Sequence, residues 1–140
     1  MLNGQQIQQV QGSLGRVVQL AREIEAVPNL GPDIWTMREI DKKCQVIRGE
    51  CDLIGRLVGT GDVLHSTNLP PGLWPITPEA ASLAQQHLQR IRVLAQAIED
   101  VPNFGPDIWS MRRIDAECRE VVWHAQAVWP LVTPQGTGRG

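Results

Sequence analysis

The sequence predicts an all-α fold: an antiparallel four-helix bundle made of two tandem-duplicated helical hairpins with a proline-rich crossover between them. Two observations carry this expectation, an internal repeat and a hydrophobic periodicity that the repeat transfers from one half to the other. Residues 27–41, VPNLGPDIWTMREID, return as residues 101–115, VPNFGPDIWSMRRID, at an offset of 74 with twelve of fifteen positions identical. Leu20-Ala21, Ile24-Glu25 and Cys44 recur as Leu94-Ala95, Ile98-Glu99 and Cys118. The unit is too long for a solenoid repeat and two copies make no array, so the reading is one pseudo-two-fold domain.

Each repeat reads as two helices. In the first, Ile7, Val10, Leu14, Val17, Ala21 and Ile24 alternate by three and four, the seam of a packed helix. Met37, Ile40, Cys44, Ile47, Cys51, Ile54 and Val58 continue the alternation. The second repeat gives Ala81, Ala84, Leu88, Ile91, Ala95 and Ile98, then Met111, Ile114, Cys118, Val121, Ala125 and Val128. The offset carries one seam onto the other, so periodicity and repeat support each other.

The predicted helices are 4–26, 33–58, 78–100 and 107–129. Asn3 caps the first, and Thr77-Pro78-Glu79 opens the third with a cap, a first-turn proline and an acid at the positive end of the dipole. Pro28 and Pro102 disfavour helix at the residue before them. Gly31-Pro32-Asp33 and Gly105-Pro106-Asp107 start the second helix of each hairpin, with proline expected in its first position. The domain is expected over 1–132, with repeat 1 at about 3–58, the crossover at 59–76, repeat 2 at about 77–132 and a tail at 133–140. Leu69, Leu73, Trp74 and Ile76 in the crossover are expected to pack along the bundle.

Composition narrows the function classes. Apolar residues make up 42% of the 140 positions, ordinary for a globular chain. No apolar run approaches the ~20 residues of a membrane span, and the first residues lack the basic and apolar regions of a secretory signal. The expected location is the cytoplasm or a virion. Thirteen Lys+Arg against fifteen Asp+Glu leave a formal net charge of −2, which argues against a nucleic-acid partner, since phosphate contacts dominate that affinity. Three cysteines without a CxxC argue against a disulfide framework and a zinc knuckle. All three fall on seam positions, where cysteine acts as a small hydrophobe.

The doubled PNxGPDIW tip is the leading candidate site, through Asn29, Asp33, Trp35, Asn103, Asp107 and Trp109. A plainer reading accounts for the same residues as helix stops, turns and caps, and both can hold together. Trp123 and Trp129 join the candidates, because Gly49 and Gly55 stand in their places in repeat 1 and tryptophan is enriched in interface anchors. Arg38–Asp41 and Arg112–Asp115 are spaced to pair on one helix face. The two aspartates could otherwise converge as a catalytic pair, but no nucleophile or metal motif accompanies them. His87 and His124 are expected about five residues out of step, roughly 7.5 Å along the helices, and beside the seam. Met37 and Met111 read as core.

No cofactor motif, metal-ligand spacing or catalytic signature is present. The sequence therefore predicts a non-enzymatic helical interaction protein with protein partners, self-association included. As a subunit of a larger assembly, it would be a virion accessory, decoration or connector protein. Two alternatives stay open: a small regulator or inhibitor docking one target through the loop end, and a bundle holding a small ligand or cofactor between its helices.

Overall fold

A computed structural model describes residues 2–59, 73–74 and 76–132. Four helices dominate it: α1 (Gly4–Glu25), α2 (Ile34–Gly59), α3 (Pro78–Glu99) and α4 (Ile108–Val132). They pack against each other in a ring, each touching two neighbours: α1 on α2, α2 on α3, α3 on α4, and α4 back on α1. The expected seam residues form one continuous core, from Ile7 through Ile54 and Val58 to Leu88, Ile114 and Val128. Ala81 is the exception, only partly buried at the start of α3.

The helix ends follow from local chemistry. Asn3 accepts from the Gln6 N–H at 2.8 Å, while the Gln6 side chain accepts from the Asn3 N–H at 2.9 Å, a reciprocal cap. Thr77 accepts from the Ala80 N–H at 3.0 Å, with Pro78 in the first turn. The second helix of each hairpin begins one residue later than expected. Asp33 and Asp107 are themselves the caps, accepting from the Thr36 and Ser110 N–H groups at 2.8 and 2.7 Å. Pro32 and Pro106 thus lie before the helix rather than in its first turn. At the far end α4 runs to Val132, past Trp129, with Pro130 in its last turn. A proline there removes one helical hydrogen bond near an end that frays anyway.

One element was not expected. Leu2–Asn3 forms a short strand, β1, paired antiparallel with β2 (Leu73–Trp74), with Leu2 opposite Trp74 and Asn3 opposite Leu73. Leu2 is fully buried, so the residue before the α1 cap is part of the core. Two residues show no periodicity, which is why the pairing is invisible in the sequence. Ile76 packs partly buried against the core, as expected of the crossover. Leu69 and the 133–140 tail lie outside the described residues.

Candidate functional site

Both loops between paired helices turn on a glycine with positive φ, 60° at Gly31 and 55° at Gly105. Any side chain there would be strained, which accounts for the invariance of glycine across the two repeats. The turn drives the flanking residues in opposite directions. Asn29 and Asn103 are half-buried, and each amide faces an aspartate of the other hairpin, Asn29 with Asp115 and Asn103 with Asp41. Under the 74-residue offset these two contacts exchange with each other. Both loops therefore lie at one end of the helices.

The residues beside the asparagines point outward. Leu30 and Phe104 are 78% and 80% exposed, and Trp35 and Trp109 are 68% and 70% exposed. The Arg38 guanidinium lies over the Trp35 ring at 5.0 Å, and Arg112 lies over Trp109 at 5.0 Å. This corrects the expected Arg38–Asp41 and Arg112–Asp115 pairs. The aspartates turn inward, to 9% exposure at Asp115, so the arginines lie instead on the tryptophans one turn earlier. A cation over an exposed ring contributes about 0.5–1 kcal/mol and holds the indole to one face. The tip thus presents four large apolar side chains, two of them braced by arginine.

Of the six tip residues singled out by sequence, only the tryptophans present large exposed apolar surface. Asp33 and Asp107 are exposed but engaged as caps, and their backbone hydrogen bonds from Thr36 and Ser110 hold both carboxyls below the usual range. Asn29 and Asn103 face inward. Leu30 and Phe104 were missed, although their signal was visible: a large apolar residue between asparagine and glycine in a turn has no core to reach. Burial raises the Asp41 and Asp115 carboxyls, with the facing asparagines opposing the rise and Glu99 or Glu25 adding to it. Each aspartate belongs to its own contact with the asparagine of the other loop, and the thiol one turn on from each, Cys44 or Cys118, is buried.

The other two tryptophans part company. Trp129 is half-buried where α4 meets α1, and with Gln11, Leu14, Gly15, Val18, Ala125 and Gln126 it lines an open cavity of about 480 Å³. Trp123 is 62% exposed and stands edge-on to two histidines. His87 and His124 touch, Nδ1 to Nδ1 at 2.8 Å, which overturns the expectation that they are out of step. The helix ends, Glu99 and Ile108, centre the loop where the count places it, so residue counting from the turn does not decide which side chains of α3 and α4 meet; their packing does. His124 is held below its ordinary value, by burial first and by the neighbouring His87 second.

Cys44, Cys51 and Cys118 are free and buried. Burial pushes the Cys51 and Cys118 thiols up to about 12, and Cys44 higher still, so none supplies a thiolate nucleophile at neutral pH. Met37 and Met111 are buried in the core. Among the described residues no group of three or more His, Cys, Asp or Glu side chains gathers to hold a metal. No described helix is long and apolar enough to cross a membrane. Comparison of the chain with protein-family models, with curated proteins and with solved structures returns no match.

Proposed function

We propose that this protein is a non-enzymatic interaction module that docks a protein partner through its doubled tip, as a subunit of a larger assembly such as a virion accessory, decoration or connector protein. The supporting observation is the exposure of Leu30, Trp35, Phe104 and Trp109 together at one end. Large apolar groups gathered on a surface otherwise studded with charge are characteristic of an interaction site. The finer architecture belongs to the same proposal: two tandem-duplicated hairpins in an antiparallel bundle. It is supported by the sequence repeat and by the exchange of the Asn29–Asp115 and Asn103–Asp41 contacts. Such a module offers one apolar face twice, and a two-fold partner or a repeated segment fits it.

The deciding measurement is the native size of the untagged protein in lysate of its source, compared with the Trp35→Ala/Trp109→Ala variant. Migration with a megadalton particle, lost in the variant, supports the assembly reading. Migration as a complex with one target, equally lost, supports the regulator reading. A wild-type protein migrating alone at 15.5 kDa or as a dimer would overturn both. The apolar cavity beside Trp129 favours a second reading, a small apolar ligand between α1 and α4. Extraction of the purified native protein and mass spectrometry of the extract tests it.

A further inference from the structure

The α3–α4 seam breaks its apolar pattern at one place. His87 on α3 and His124 on α4 face each other with Nδ1 atoms 2.8 Å apart, rings tilted by 48° and centroids 5.1 Å apart. Nothing in the repeat demands them, since the 74-residue offset places Ser13 and Glu50 at the corresponding positions. Two imidazole nitrogens this close must either share a proton or bind a common cation. Imidazole binds metals at about 2.0 Å, so two cis ligands at a right angle put their nitrogens about 2.8 Å apart. A tetrahedral angle would open them to about 3.3 Å. A few tenths of an ångström of side-chain movement spans both angles, so the pair can chelate one divalent ion, and copper(II) heads the order of affinity for such a site.

We propose that His87 and His124 form an open, bidentate imidazole site for a divalent transition metal, copper(II) ahead of nickel(II), with water in the remaining positions. The surroundings permit a cation. Arg90, the nearest positive group, is paired with Glu120 at 3.8 Å, and Glu120 lies one turn before His124 on α4. Trp123, itself exposed, packs edge-on against both rings, with centroids 5.8 Å from His87 and 4.9 Å from His124, and the two histidines remain partly exposed. A bound metal would tie α3 to α4 and would lie within quenching range of that indole.

The test uses the full chain in a non-chelating buffer, titrated with copper(II) sulfate and separately with nickel(II) sulfate. Saturable quenching of tryptophan fluorescence and a rise in Tm are expected, with copper tighter. His87→Gln and His124→Gln should each weaken binding about a hundredfold, because one ligand remains and chelation is lost. Trp123→Phe should keep the Tm rise and lose most of the quenching. No saturable response, or an unchanged response in the two glutamine variants, overturns the proposal. Should either variant fail to fold, the paramagnetic resonance spectrum of the copper-loaded parent decides. Splitting by two equatorial nitrogens supports the site, and an oxygen-only spectrum overturns it.

Discussion

The α2–α3 and α4–α1 seams are related by the 74-residue offset of the sequence and are built from different materials around Gly55 and Trp129. Where α2 meets α3, Gly55 leaves room for long polar side chains. Gln85 donates to the Gly55 carbonyl at 2.9 Å, and Arg92 reaches the Cys51 carbonyl at 3.2 Å and Asp52 at 2.8 Å. Where α4 meets α1, the 74-residue offset replaces Gly55 with Trp129, Gln85 with Gln11, Gln89 with Gly15 and Arg92 with Val18. The large residue has crossed to the other helix and the small ones face it. Around Gly55 the seam is closed by hydrogen bonds; around Trp129 it is largely apolar and holds the cavity, while Arg119 on α4 pairs with Glu25 on α1 at 2.9 Å. A single backbone arrangement therefore accepts either chemistry, provided a bulky side chain on one helix meets a small one opposite.

The largest effect should come from removing the bulk where the seam is apolar. Trp129→Ala leaves Gly15, Val18 and alanine facing each other around an enlarged cavity. For a half-buried tryptophan we expect a loss of about 2 kcal/mol. That corresponds to a fall in Tm of roughly 6 °C for a chain of this size, read by calorimetry. An unchanged Tm would mean that Trp129 only rests on the surface and that the contrast between the seams is superficial.

A pair of glycine substitutions sharpens the contrast. A Cβ at Gly15 meets nothing within 4 Å, whereas one at Gly55 meets Arg92 Nη2 at 3.1 Å and Gln85 Oε1 at 3.2 Å. Gly15→Ala should gain about 0.5–1 kcal/mol from helix propensity alone. Gly55→Ala should gain nothing, because Gln85 and Arg92 must yield hydrogen bonds to admit the methyl group. Equal gains in the two variants, measured by urea denaturation, would show that the polar seam is slack.

The sequence made the helices legible, because seam residues recur every three or four positions over long stretches and the repeat reports them twice. It made the turns legible as well, since glycine and proline act locally. What it hid is what depends on rotation about the helix axis. Asp41 and Asp115 look like partners for arginines on their own helix, yet they face the opposite loop, and only packing decides that. His87 and His124 are distant in sequence, and their meeting depends on the register of α3 against α4. At the tip the directions of the side chains divide: tryptophans outward, asparagines inward, aspartates spent on caps.

The smallest predicted effect concerns those aspartates, and it compares two classes of carboxyl in one loop system. Burial raises Asp41 and Asp115, so the folded chain binds more protons there than the unfolded chain does. Their contribution is complete below the ordinary carboxylate range of about pH 4 and is lost as pH rises through the raised values. Asp33 and Asp107 are lowered by accepting backbone N–H groups, and they act in the opposite sense. Their contribution is complete above about pH 4 and is lost as pH falls through the lowered values. The two classes therefore shape the stability profile on opposite sides of about pH 4. Asp41→Asn/Asp115→Asn removes the first class and leaves the caps. Its Tm should therefore rise more between pH 4 and neutrality than that of the parent, by a few degrees at most. A smaller rise in the double variant would mean that the asparagines bind the ionised aspartates well enough to outweigh their burial, and would reassign the Asn29–Asp115 and Asn103–Asp41 contacts as charge-assisted clasps of the tip.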